Sequence, residues 1–70
     1  MFTYDQGDIV IFRNMGCRGR GKVVGVVTRE MYGLGDIYMV EVEDPEKSGI
    51  NRKTYPYSTI GIAEIHLCPC

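Results

Sequence analysis

The chain has 70 residues, of which 44% are hydrophobic and 24% are charged, and its formal net charge is −1. These values are those of an ordinary globular protein, and the length predicts a single domain, 1–70, with a lead-in at 1–6 and a tail at 68–70. The chain contains no apolar run long enough to span a bilayer, and its first residues lack the pattern of a signal peptide. We therefore expect a cytoplasmic protein without a membrane partner.

The charges are separated along the chain. Segment 9–29 contains bases and no acid, whereas segment 30–46 contains acids and no base. Two apolar blocks, 9–12 and 23–27, flank most of the bases and are rich in β-branched residues, so they predict strands. The residues between them interleave glycine with arginine and lysine, which predicts a mobile cationic loop on a rigid hairpin.

Three further strands complete the prediction. Residues 36–43 alternate apolar and polar side chains, the turn residues of 44–49 follow, and 50–55 is expected to return antiparallel as a strand. A 3₁₀ turn at 58–61 then precedes a last strand at 63–67. The predicted fold is an all-β, five-stranded antiparallel barrel with one short 3₁₀ turn before the last strand. Its predicted core contains Val10, Phe12, Val23, Val40, Val42, Ile65 and Leu67.

The first hairpin resembles the KOW motif of ribosomal and transcription-elongation proteins. The residues that carry this resemblance are Gly7, Asp8, Val10, Phe12, Gly16, Gly21 and Val23. The number of strands, the glycine loops and the helical turn resemble the SH3-like barrel over nearly the whole chain. The chain has no tryptophan to line a polyproline groove and its first loop is basic, so the function of a signalling SH3 domain is not expected.

A second resemblance is to the plasmid-borne type II dihydrofolate reductases, which are SH3-like barrels that act as tetramers. The matching residues are Gly7, Asp8, Gly21, Val24, Gly25, Val40, Glu41, Tyr55, Pro56, Ala63 and Glu64. The catalytic Val-Gln-Ile-Tyr strand of that family aligns with residues 52–55, where only Tyr55 matches. Reductase activity is thus an alternative, while the expectation is that the chain has no catalytic residues and is not an enzyme.

The side chains with metal-ligating chemistry are few. His66, Cys68 and Cys70 follow each other at spacing two, which would place them on one face of a strand, and Cys17 could add a fourth ligand. The two terminal cysteines are separated by one residue rather than the usual two, so neither a metal nor another cofactor is expected. Glu64 lies two residues before His66, which suggests a surface pair on the last strand rather than a catalytic dyad.

The basic loop is the best candidate for function, because arginine and lysine at spacing two among glycines can approach phosphates closely. The expected partner is nucleic acid or a nucleic-acid-processing protein. The candidate binding residues are Arg13, Arg18, Arg20, Lys22, Tyr32, Arg52 and Lys53. The simpler alternative is that these bases only solvate the loop or form ion pairs with Glu41, Glu43 and Glu46. The acidic isoelectric point of about 5.7 argues against strong nucleic-acid binding.

A competing hypothesis is a protein-interaction module, or an inhibitor of a host protein, of the size that phages and plasmids carry. Its contact surface would consist of Met15, Met31, Tyr32, Leu34 and Met39, since methionine and tyrosine suit such surfaces. Every residue of 9–12 is apolar, so both faces of that strand need cover. This predicts a possible homodimer.

Overall fold

The computed structural model describes residues 4–14, 16–27 and 35–70. Five antiparallel strands form one sheet in the order β4-β3-β2-β1-β5. They are β1 (Ile9–Asn14), β2 (Cys17–Val27), β3 (Ile37–Val42), β4 (Thr59–Ala63) and β5 (Leu67–Pro69). The described residues also form two 3₁₀ turns, Pro45–Lys47 and Glu64–His66, the second directly before β5. The prediction of an all-β, barrel-like fold with a 3₁₀ turn before the last strand is confirmed.

The longest strand, β2, belongs to two hairpins. Its residues 17–22 pair with β1, and its residues 21–27 pair with β3. The register with β3 shifts between Val23 and Gly25, so Val24 forms an irregularity of the β-bulge type. A bulge increases the local bend and twist of a strand, and the bent β2 therefore lets a single sheet curl around its core.

The core lies on the concave side of the curled sheet. Its buried apolar residues are Tyr4, Val10, Phe12, Val23, Tyr38, Val40, Val42, Ile62 and Ala63. Five of the seven predicted core residues are among them, and Leu67 is half-buried against this cluster. Ile65 is 59% exposed, so its prediction was wrong. It lies in the 3₁₀ turn Glu64–His66, where the alternation of a strand is lost.

Tyr4 belongs to the core and not to a lead-in. Its ring contacts the ring of Tyr38 edge-on, at 5.3 Å between centroids, and its backbone N–H donates to the Tyr38 hydroxyl at 3.2 Å. Cys68 and Pro69 likewise do more than form a tail, because they pair with Ile11 and Val10 as part of β5. The N-terminal end of the described chain thus packs against β3, and its C-terminal end pairs with β1.

The prediction of a mobile glycine and arginine loop was wrong. Residues 17–21 are the first half of β2, and Cys17 pairs directly with Asn14. Gly19 and Gly21 occupy positions with little room: a Cβ at Gly19 would lie 3.2 Å from the Phe12 ring, and one at Gly21 would lie 2.5 Å from the Glu41 carbonyl oxygen. Glycine here allows two strands and a ring to approach closely, and it does not provide mobility.

The predicted strand at 50–55 and the predicted 3₁₀ turn at 58–61 are also wrong. Asn51 holds the first segment in turns, because its carbonyl accepts the N–H groups of Thr54 and Tyr55 and its side chain accepts that of Lys53. The strand that follows β3 in the chain and pairs with it is β4, which contains most of the second segment. No helix within the described residues is both long and apolar enough to cross a membrane.

Candidate functional site

A cationic groove of about 510 Å³ lies along the half of the β1–β2 hairpin that is nearer the Asn14–Cys17 pair. Four of its lining residues carry positive charge and none is acidic. The lining consists of Ile11, Phe12, Arg13, Arg18, Gly19, Arg20 and Lys47. The structure therefore brings together three of the predicted binding residues, Arg13, Arg18 and Arg20, with one base that sequence reasoning did not select.

Arg13 and Arg18 lie directly opposite each other across the hairpin. The neighbouring pair, Phe12 and Gly19, faces the core, so alternation places both arginines on the outer face, where both are exposed. Neither guanidinium has an acidic partner within 4.0 Å among the described residues. Like charges that face each other across two strands destabilise the pairing, so this is a position where an anion would be favourable.

Arg20 is held differently from its two neighbours. Its Nε and Nη2 atoms donate to the two carboxylate oxygens of Glu43 at 2.8 and 2.7 Å, and both side chains are about half exposed. The hydrogen bond with Arg20 lowers the pKa of Glu43, and the bond with Glu43, followed by that with Cys70, raises the pKa of Arg20. Arg20 thus carries its own carboxylate at the side of the groove.

Lys47 reaches the groove from a distant part of the sequence. The 3₁₀ turn Pro45–Lys47 is fixed beside the hairpin by Ser48, whose carbonyl accepts the Arg18 N–H at 2.9 Å. Gly49 has φ of 83°, and a Cβ there would lie 2.8 Å from the Gly16 carbonyl oxygen. No local pattern predicts this contact, although the Asp-Pro turn that creates it is visible in the sequence.

Lys22 lies outside this groove. It is opposite Glu41 in the β2–β3 ladder and lines a separate depression, of about 200 Å³, together with Glu41 and Glu43. Its surroundings are therefore acidic, in contrast to those of Arg13 and Arg18. These carboxylates separate Lys22 from the bases of the groove.

Arg52 stabilises the 51–57 loop through its guanidinium. Nη1 donates to the carbonyls of Tyr55 and Tyr57 at 3.3 and 2.6 Å, and Nη2 donates to that of Pro56 at 2.8 Å. Its Nε also donates to Glu46, at 3.2 Å. These N–H groups of Arg52 are the donors that a ligand would need, and they are already bonded within the protein.

The remaining predicted contacts are scattered. Lys53 is exposed in the turns that follow Asn51 and is not among the residues that line the groove. Tyr32 lies outside the described residues, as do three members of the proposed methionine and tyrosine surface, Met15, Met31 and Leu34. Its remaining member, Met39, is half-buried in β3.

The cysteines and the histidine do not form the arrangement that spacing two suggested. Glu64 and His66 lie in the second 3₁₀ turn and not on a strand, whereas Cys68 is in β5. Cys17 pairs with Asn14 at the distal end of the first hairpin. Among the described residues, no group of three or more histidine, cysteine or acidic side chains is placed to hold a metal ion.

Tyr55, the one match to the reductase strand, lies in a loop. Its hydroxyl donates to the Thr59 carbonyl at 2.5 Å, and its ring contacts that of Tyr57 at 5.2 Å between centroids. Residues 52–54, which precede it, form turns. The chain therefore does not present these residues on a strand.

The outer face of β1 is apolar at two positions. Ile9 is 45% exposed and Ile11 is 36% exposed, whereas Val10 and Phe12 are fully buried. The predicted apolar character of both faces is thus present.

Comparison of the chain with protein-family models, with curated proteins and with solved structures finds no match.

Proposed function

We propose that this chain is a non-enzymatic binding module that holds the phosphate backbone of a nucleic acid in the cationic groove of its first hairpin. The observation that carries the proposal is the facing pair Arg13 and Arg18, exposed and without an acidic partner among the described residues. Repulsion between the two guanidinium groups weakens the hairpin, and a phosphate between them converts that repulsion into attraction.

The residue types favour a phosphate ligand. A guanidinium group presents several donors in a planar fork that matches phosphate oxygens, whereas an ammonium group acts as a point charge. Arg13 and Arg18 supply two forks, and Lys47 supplies a point charge in the same groove. Arg20 adds a third fork when the phosphate displaces Glu43.

A nucleic acid fits the groove better than an acidic side chain does. The four bases line one open groove, and a nucleic-acid strand presents a series of phosphates along its length. A single carboxylate supplies one negative charge to these four bases, whereas successive phosphates supply several. Three bases of the groove, Arg13, Arg18 and Lys47, have no acidic partner among the described residues. Three phosphate contacts give a modest and strongly salt-dependent affinity, which is what the acidic isoelectric point of the chain also suggests.

The proposal is tested by fluorescence polarisation of a labelled single-stranded oligonucleotide at several salt concentrations. For three phosphate contacts, we expect log K to fall with log salt at a slope of about −2. The double variant Arg13→Ala and Arg18→Ala should reduce the slope to about −0.7 and abolish most of the binding at physiological salt.

The matched control removes two bases outside the groove, Lys22→Ala and Lys53→Ala, so both double variants have the same net charge. Retained binding in the control and lost binding in the arginine variant support the groove. Equal loss in the two variants would mean that only the overall charge matters. Binding of a polyglutamate peptide, but not of the oligonucleotide, would instead identify an acidic protein surface as the partner.

A further inference from the structure

The free edge of β4 has a defined pattern of backbone groups. Two hydrogen bonds, one at each end of the β3–β4 ladder, define this pattern. The Val42 N–H donates to the Ser58 carbonyl at 2.8 Å, and the Glu64 N–H donates to the Asp36 carbonyl at 2.9 Å. Residue pairs that exchange hydrogen bonds alternate along an antiparallel ladder. These two bonds therefore determine which residues of β4 bond to β3.

Ile60 and Ile62 direct their N–H and carbonyl groups towards β3, because each lies an even number of residues from Ser58 and Glu64, which bond to β3 at the two ends of the ladder. Thr59, Gly61 and Ala63 direct theirs away from the sheet, because β4 is an edge strand. Their outward groups form a row of donors and acceptors that another extended strand could pair with.

Little occupies this row within the part of the chain that the structure describes. The Thr59 carbonyl accepts the Tyr55 hydroxyl, and the Ala63 carbonyl, at the N-cap of the second 3₁₀ turn, accepts the first bond of that turn. The outward groups of Gly61 and the Ala63 N–H have no hydrogen-bond partner there. The strand also contains no charged residue and no proline, which are the usual features that prevent edge pairing. The opposite edge, β5, has only three residues and includes Pro69.

We propose that β4 pairs with β4 of a second copy of this chain, antiparallel and with the two-fold axis at Gly61. The strand reads Thr-Ile-Gly-Ile-Ala, which is nearly the same in both directions about its central glycine. The two-fold axis places each Gly61 opposite the other and each Thr59 opposite the partner's Ala63. All outward groups then find partners, in about six hydrogen bonds.

The charges favour a second copy as the occupant. The edge itself is uncharged and the net charge of the chain is only −1, so two copies can approach without strong repulsion. The contact is small, because five residues of one strand provide it. We therefore expect a weak dimer, with a dissociation constant of about 10–100 µM.

This dimer differs from one formed through the apolar outer face of β1. Ile9 and Ile11 lie on β1, between β2 and β5, and they stay exposed when two copies pair through β4. It also leaves the cationic groove on the first hairpin open. The dimer and the nucleic-acid site are consequently independent proposals, and the failure of one does not affect the other.

Sedimentation velocity from about 5 to 500 µM tests the proposal on the wild type and on Gly61→Lys, Gly61→Glu and Gly25→Lys. Gly61 is exposed, and a Cβ there approaches Ile37 and Met39 no closer than 3.6 Å, so the first atom of an introduced side chain meets no clash. Gly25→Lys is the matched control, since Gly25 and Gly61 both pair with Met39 but Gly25 lies on the central strand β2.

The two-fold axis places the introduced lysines opposite each other, so Gly61→Lys should weaken the dimer about fivefold or more, and Gly61→Glu likewise. A mixture of these two variants should dimerise again, whereas Gly25→Lys should dimerise like the wild type. Amide exchange of Gly61 and Ala63 in the wild type should slow as concentration rises. A wild type that stays monomeric at 500 µM, or a dimer that Gly61→Lys leaves unchanged, would overturn the proposal.

Discussion

Replacing Gly21 with alanine tests how closely β2 and β3 approach each other. A Cβ at Gly21 would lie 2.5 Å from the Glu41 carbonyl oxygen and 2.6 Å from Val40 Cγ1. One of these atoms belongs to the backbone of the paired strand and the other to a fully buried side chain, so neither can move away easily. The two strands must therefore separate to admit the methyl group.

Overpacking of this kind costs about 1–3 kcal/mol, and replacement of a strand glycine recovers about 0.5–1 kcal/mol of chain entropy. The clash at Gly21 involves two rigid neighbours, so we expect a net loss of about 2 kcal/mol. For a domain of this size the total free energy of unfolding is about 3.5–10 kcal/mol, and the loss lowers the melting temperature by about 8–16 °C.

Gly25→Ala is the control for this experiment, because within the described residues a Cβ there meets only Met39 Cβ, at 3.9 Å. Relief of chain entropy without a clash should leave the protein unchanged or stabilise it by about 0.5 kcal/mol. Thermal and urea unfolding of both variants, followed by circular dichroism, measure the difference. If Gly21→Ala were as stable as Gly25→Ala, the register between β2 and β3 described above would be wrong.

Three further predictions concern single side chains. Val40→Asp should unfold the domain, as shown by loss of the sheet signal in circular dichroism, because an unpaired carboxylate at this fully buried position costs more than the available stability. Glu43→Gln should strengthen oligonucleotide binding severalfold in a polarisation titration at pH 7, because it frees Arg20; unchanged or weaker binding would show that Arg20 does not reach the ligand. Burial raises the pKa of the Tyr4 hydroxyl above its ordinary value of about 10. The stability that this shift contributes is therefore fully present below about pH 10 and is lost as the pH rises through the pKa of Tyr4 in the folded state. Urea unfolding should therefore show less loss of stability at high pH in Tyr4→Phe than in the wild type.

The alternation of apolar residues predicted the fold and most of the core. Val10, Phe12, Val23, Val40 and Val42 are inward in strands, as β-branched and aromatic residues at spacing two indicate. The same rule of spacing two also applies to the basic segment. The bases at 18, 20 and 22 recur at spacing two because they lie on the outer face of β2, while the glycines between them face inward.

Non-local contacts explain what the sequence could not predict. Lys47 reaches the groove only because Ser48 bonds to Arg18, and no pattern within 44–49 indicates that partner. Arg52 resembles a free base in the sequence, but its guanidinium binds three loop carbonyls. Arg13 and Arg18 face each other because the register places Cys17 opposite Asn14, whereas glycines in a sequence suggest a longer loop.

Amide chemical-shift mapping locates the surface at which phosphates bind, which we propose to lie between the arginines of the first hairpin. The ¹⁵N-labelled protein is titrated with a single-stranded oligonucleotide at low salt, and the shifts are followed residue by residue. We expect saturable shifts clustered at residues 11–13, 18–20 and 47, which return to their free values as salt is added. Saturable shifts confined to other surfaces, such as the exposed Tyr57 and Ile65, or no saturable shifts at all, would contradict it.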